Sequence, residues 1–242
     1  AGNNSGAGGL VGNGYDRMRF TGCTASGAVS AQGGYHSSAG GLTSFLAFTY
    51  PRDSYERPNP ADPDFEEKVG VIQNCWSTAS ISASGASFQS DCGGLAGQLS
   101  PAVLRTSWAR PTITLEGPTY QNAGGIAGSS YYGGSIENCW ANARDCAAGG
   151  ELHSGGVAGR ISESWVKDCY VLGADRFSPQ DAIVFADWND GTVSGCIDAG
   201  RATPSEKRQV YQGWNSSAVW DRNQDNPILR EMDRVGQLAA QK

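Results

Sequence analysis

Histidine, methionine and charge are scarce in this chain. Its 242 residues include two His and two Met, and only 17% are charged. His36 and His153 leave few neutral bases for nucleophilic or zinc chemistry, and no G-x-S-x-G, H-E-x-x-H or P-loop pattern occurs. The seven cysteines form no C-x-x-C pair, and the odd count weakens both a zinc and a dense-disulfide reading. Basic runs are missing and the net charge is −6, so nucleic acid is not an expected partner. No apolar run approaches the roughly 18 residues that span a membrane, so no membrane insertion is expected of this piece. The opening AGNNSGAGG has neither an initiator Met nor a signal peptide, and reads as a mature or excised part of a longer chain.

Glycine is abundant, at 34 residues, which favours an all-β chain with many tight turns over a helical bundle. The glycines are periodic: GGLVG at 8–12, GGLTS at 40–44, GGLAG at 93–97, GGIAG at 124–128 and GGVAG at 155–159. The spacing is about 31 residues, apart from one interval that is about 22 longer. The Pro-rich, acidic stretch 49–68 (TYPRDSYERPNPADPDFEEK) supplies the excess, and DAIVFADWNDG at 181–191 reads as a degraded sixth copy. Repeats of this length, built from short β-like runs, cannot each bury a core alone but can when stacked. The expectation is a parallel β-solenoid of about six coils, right-handed by the usual crossover rule, about 30 Å long. The 49–68 stretch is then a loop pushed out of one coil.

A second motif follows each glycine motif: FTGC (20–23), IQNC (72–75), LRTS (104–107), IENC (136–139), VKDC (166–169) and VSGC (193–196). Its first column is always apolar and points into a core. The column before the cysteine is Gly22, Asn74, Thr106, Asn138, Asp168 and Gly195, five of the six being types that tolerate left-handed backbone, so the chain turns there. Such a kink turns the cysteine inward as a small buried residue, replaced once by Ser107. Val29, Ile81 and Ile113 form a further inward column, with Cys146 in place of Asp145 after a one-residue slip. Cys92 sits where other copies have Ala7, Ala39, Ala123 and Ser154; a Cys92–Cys146 disulfide is compatible with the spacing but not demanded by it.

Two outward columns remain. Arg105, Glu137 and Lys167 stack as plus, minus, plus, a structural charge ladder. Trp76, Trp108, Trp140 and Tyr170 occupy the position after the cysteine in consecutive coils. If exposed, they form an aromatic strip that binds a glycan or a protein; alternatively the rings stack on each other beneath a neighbouring loop. These four are the candidate ligand-binding residues. Metal patterns at 187–191 and 221–225 are incomplete, the carboxylates of 49–68 read as a solvated acidic loop, and no metal, cofactor or catalytic residue is assigned.

GGLAG and GGIAG, with VIQNCW and SIENCW, resemble the GLUG-repeat proteins, and GWNSSAVWDRNQDNPILR (213–230) is similar to the closing segment of such arrays. GGLTS, Ser107 and the Trp residues depart from the pattern. The resemblance implies a bacterial secreted or surface protein, with the repeats serving as stalk or adhesive modules like those of adhesins and IgA-peptidase-type proteins. It attaches no catalytic residue to the motif. The expected organisation is a solenoid over 1–230 and a helical cap or linker over 231–242, with Pro227–Leu229 as a final strand and a helix from near Glu231. The alternative is a carbohydrate-active β-helix enzyme, which needs carboxylates clustered on one outer face, about 5–9.5 Å apart.

Overall fold

In the computed structural model the described residues are 4–50, 56–117, 120–143, 145–148, 152–172 and 191–200, then 202–203, 205–206, 208–209, 214, 219–221, 226–230, 232 and 234–240. Successive coils contribute their strands to five parallel stacks. The first stack holds Asn4–Gly8, His36–Gly40, Gln89–Gly93, Tyr120–Gly124 and Leu152–Gly155. The second holds Val11–Tyr15, Thr43–Ala47, Ala96–Ser100, Ala127–Tyr131 and Ala158–Ser162. The third runs through Arg19–Thr21, Gly70–Gln73, Ala102–Arg105, Ser135–Glu137, Trp165–Lys167 and Thr192–Ser194. The fourth follows with Thr24–Ala25, Trp76–Ser77, Trp108–Ala109, Trp140–Asn142, Tyr170–Leu172 and Ile197–Asp198. The fifth comprises Ala28–Gln32, Ser80–Ser84, Thr112–Glu116 and Asp145–Ala148. The expected all-β parallel solenoid is therefore observed. Of the degraded copy, residues 181–190 lie outside the described residues, and its motif resumes as Thr192–Ser194 and Ile197–Asp198.

The register follows the sequence columns. Gly8, Gly40, Gly93, Gly124 and Gly155 pair in line, and Ile113 pairs with Cys146, as the slip requires. All six residues before the cysteine position have positive φ, between 47° and 65°, including Thr106. The cysteine side chains turn inward: Cys75, Ser107, Cys139 and Cys169 are fully buried. Their role exceeds packing. Each Sγ–H or Oγ–H donates to the carbonyl two residues back, as from Ser107 to Arg105 (2.7 Å) and Cys139 to Glu137 (3.1 Å). Ser107 Oγ also accepts the Cys75 N–H from the coil before it (3.1 Å), so the column satisfies polar backbone at the corner. All seven cysteines are free, Cys92 and Cys146 among them.

The interior is divided in two. One core, lined by Leu95, Leu99, Leu104, Ile136 and Cys139, lies between the second, third and fourth stacks. The other, with Val29, Ile81, Ile113, Cys92 and Ala123, lies between the fifth and first. The second glycine of each glycine motif makes the waist between them. A Cβ on Gly94 or Gly125 would stand 2.6 Å from that of Ala109 or Ala141 in the fourth stack, closer than packed atoms allow.

Candidate functional site

The structure brings Trp76, Trp108, Trp140 and Tyr170 into one column in register, as expected, and turns them away from the two cores. The ring centroids are 5.0, 4.8 and 5.7 Å apart with planes within 13° of parallel. The exposed strip, however, is not observed: Trp108, Trp140 and Tyr170 are wholly buried and Trp76 is 9% exposed. The chain's own C-terminal segment covers them. Trp214 stacks on Tyr170 at 5.6 Å and donates from Nε1 to the Asp168 carbonyl (2.7 Å). Trp140 Nε1 donates to the Pro227 carbonyl (3.0 Å), and Trp108 Nε1 to Gln237 Oε1 (3.1 Å).

That segment includes the expected strand and helix, Ile228–Leu229 and Arg234–Ala240. The strand does not join the solenoid. It pairs antiparallel with Trp220–Asp221, and Gln237 locks the helix to it by accepting from Leu229 N–H and donating to its carbonyl, both at 2.8 Å. The sequence offered no pointer to Gln237. A lone glutamine in a short amphipathic helix reads as a solvent residue, yet here it is completely buried.

Among the described residues, exposed aromatics cluster in two other places, apart from Tyr15 on the second stack. Along one edge, Tyr35 stacks on Phe88 (5.0 Å), Phe88 meets Tyr120 (5.9 Å) and Tyr120 meets His153 (6.1 Å). His36 and His153 lie on strands of the first stack. Beside them a polar ladder runs inside the arch between the first two stacks. Asp91 Oδ1 accepts from Asn122 Nδ2 (2.8 Å), both Asp91 oxygens accept from Gln89 Nε2 (3.1 and 2.9 Å), and Asn122 Oδ1 lies 3.2 Å from His153 Nδ1. Burial pushes the Asp91 carboxyl above its ordinary pKa, with the hydrogen bonds opposing. Burial likewise raises Cys75 to about 12, so this thiol is no nucleophile at neutral pH.

The second place is the insertion, which lies back across the third stack instead of standing free in solvent. Phe65 is buried against Val69, Val71 and Val103. Arg105 pairs with Glu66 of the insertion and Gln73, and no Arg105–Glu137 or Glu137–Lys167 ion pair forms among the described residues, although the three are in register. The charge ladder is thus placed but not bonded as expected, because the insertion competes for its arginine. Arg57 lies 3.9 Å above the Tyr132 ring centroid and 2.9 Å from Glu163 Oε2. Under the insertion run two clefts, about 350 Å³ and 680 Å³, which share Pro60 and Trp165 in their walls. Trp165 and Tyr132 are 37% and 38% exposed. Among the described residues no group of three or more His, Cys, Asp or Glu could hold a metal ion. Residues 222–225 and 187–190, two stretches of the incomplete metal patterns, lie outside the described residues.

The chain carries a GLUG motif at residues 119–145, the stretch that closes one coil from first stack to fifth, and so resembles the GLUG-repeat proteins as expected. No curated protein matches the chain. Its fold is similar to a crystal structure from Bacteroides ovatus named a "putative immunoglobulin A1 protease", with a TM-score of 0.53 and 16% identity. That alignment covers 94% of this chain and 64% of the other, so the chain spans less than two thirds of its structural neighbour. The described residues thus form a parallel β-helix that carries one matched GLUG motif.

Proposed function

We propose that the chain is a non-catalytic repeat module of a bacterial secreted or cell-surface protein, serving in adhesion or as a stalk and meeting a glycan or protein partner. The observation that carries this reading is the uniformity of the stack. One register persists through successive coils, and the column with the greatest aromatic surface is sealed by the chain itself, so the sequence builds a stiff rod. The neighbour's name and the GLUG motif support a setting outside the cell.

The competing reading, a carbohydrate-active enzyme, has one observation in its favour: Glu66, Glu67, Glu137 and Glu163 line the clefts that share Trp165. Two of these acids are held by arginines, Glu66 by Arg105 and Glu163 by Arg57. Incubating the protein with polysaccharides and with immunoglobulin A1 separates the readings. Binding without new reducing ends or fragments is expected; either product overturns the non-catalytic reading. Antibody labelling of intact cells tests the location.

A further inference from the structure

We propose that the groove between the insertion and the third stack is an oligosaccharide-binding site for neutral sugars, with Trp165 as its stacking platform. The proposal rests on the binding-module reading and names its site. The two clefts meet at Pro60 and Trp165, so they form one groove across the outward column Val103, Ser135, Trp165 and Thr192. Those four strands are three spacings apart end to end, about 14 Å, room for several sugar rings.

The chemistry selects the ligand. A half-open indole offers a flat apolar face to the C–H side of a pyranose. Carboxylates beside it accept paired hydroxyl hydrogens, and Asp62, Glu67 and Glu137 stand in the groove wall for that purpose. Of the cations nearby, Arg57 pairs with Glu163, Arg105 with Glu66, and Lys68 with Asp62 and Asp64, while Lys167 stands in register beside Glu137 without pairing to it; with Glu67, the six acids outnumber these four cations. The groove is therefore anionic, and it repels sulfated or sialylated chains. A peptide is disfavoured for a separate reason. Three of the four strands beneath the groove pair on both sides, and Thr192–Ser194, which ends the described stack, leaves a free edge at the groove's far end and not along its floor. Along that floor side chains must recognise the ligand.

Tyr132 and Glu163 add a constraint. Both sit at the groove with left-handed backbone, φ 56° and 49°, which a bulky residue adopts rarely. The turn sets the Tyr132 ring beneath Arg57, and so fixes the end of the insertion that forms the groove's roof.

The test uses the full chain on immobilised tri- and tetrasaccharides of hexose and N-acetylhexosamine, beside their sialylated counterparts and a random peptide library. Binding to at least one neutral probe is expected, with Trp165→Ala weakening it tenfold or more and Trp165→Phe retaining most of it. Phe88→Ala, on the other exposed aromatic edge, should change nothing. Should Trp165→Ala lose its native circular dichroism, Glu137→Gln in the opposite wall serves instead, with a loss of severalfold expected. The proposal falls if no neutral probe binds at millimolar concentration, if the groove variants bind as the native chain does, if Phe88→Ala is the variant that fails, or if peptides bind and sugars do not. Sugar cleavage at the groove would overturn the non-catalytic reading and leave the site standing; failure of all sugar binding would remove the site and leave the stalk reading.

Discussion

The third and fourth stacks lie side by side on each coil, and both turn aromatic residues outward, yet they have opposite fates. Trp108 and Trp140 on the fourth are sealed beneath the C-terminal segment, whereas Trp165 on the third stays open beneath the insertion. The two covering segments differ in how they attach. The C-terminal one reaches the indole nitrogens themselves, through Gln237 and the Pro227 carbonyl, and adds Trp214 to the stack. The described part of the insertion, 56–68, is pinned near its two ends, by Arg57 and by Phe65 and Glu66, and bridges the space between. A covering segment that bonds to what it covers makes a core; one held at its ends leaves a groove.

The sharpest way to break that contrast is to remove a ring from each side. Trp140→Ala should cost about 3–5 kcal/mol, since it opens a buried cavity and orphans the Pro227 carbonyl. Trp165→Ala should cost about 0.5 kcal/mol or less, as surface changes do. Urea unfolding of the two variants measures both, and equal losses would erase the distinction. Next in size, Gln237→Ala leaves the Trp108 N–H and the Leu229 N–H and carbonyl without a partner, a loss of about 1–3 kcal/mol. Amide exchange should then quicken at Leu229 while the solenoid strands stay protected. If the solenoid amides quicken equally, the C-terminal segment is not a separate cover.

A smaller effect belongs to the arch. The folded state raises the Asp91 pKa above its ordinary value, so it holds this proton more tightly than the unfolded chain does. That contribution to stability is complete below the unfolded pKa, near 3.9, and is lost as pH rises through the folded value. Asp91→Asn, which repeats the residue found at Asn122 in the next coil, should remove this pH dependence. Unfolding midpoints of both proteins, measured from pH 3.5 upward, should diverge in favour of the variant; parallel curves would dismiss the account. The smallest change is expected of Cys139→Ser, under about 1 kcal/mol, because Ser107 already fills the column one coil earlier with the same hydrogen bonds. Cys139→Val, which has no such donor, should cost more in the same assay.

Those residues also show how much could be read from the sequence. Periodicity sufficed for the columns, because a parallel stack repeats each local environment, and even Thr106 obeyed the left-handed corner against its own preference. It also located the aromatic column and the Cys146 slip; the final strand was implied by the family resemblance, and pairs outside the solenoid. It did not reveal what lies over each column. Whether Trp140 meets water depends on Pro227, 87 residues away, and whether Arg105 meets Glu137 depends on Glu66 in the insertion. These contacts occur once and leave no periodic trace. The same limit hid the groove: Trp165 precedes the repeated VKDC motif, and no neighbouring copy has an aromatic residue at that column, where Val71, Val103, Ser135 and Thr192 stand instead.

The GGLTS departure is answered in the structure as well. A Cβ on Gly6 would collide with Ser44, so the serine that interrupts one glycine column is matched by a glycine in the facing strand. The bulk is thus moved from one wall of the arch to the other.

The path of the C-terminal segment has a mechanical meaning. It touches the fifth coil at Asp168, the fourth at Trp140 and the third at Trp108, and so travels back down the rod as its own numbering rises. Tension applied at the last helix would enter the rod on its flank, near the middle. There it meets the Gln237 bonds first, then Pro227, then Trp214, one after another. The coils beneath would bear load only after this strap had peeled away, which makes the strap a fuse placed ahead of the ladder it covers.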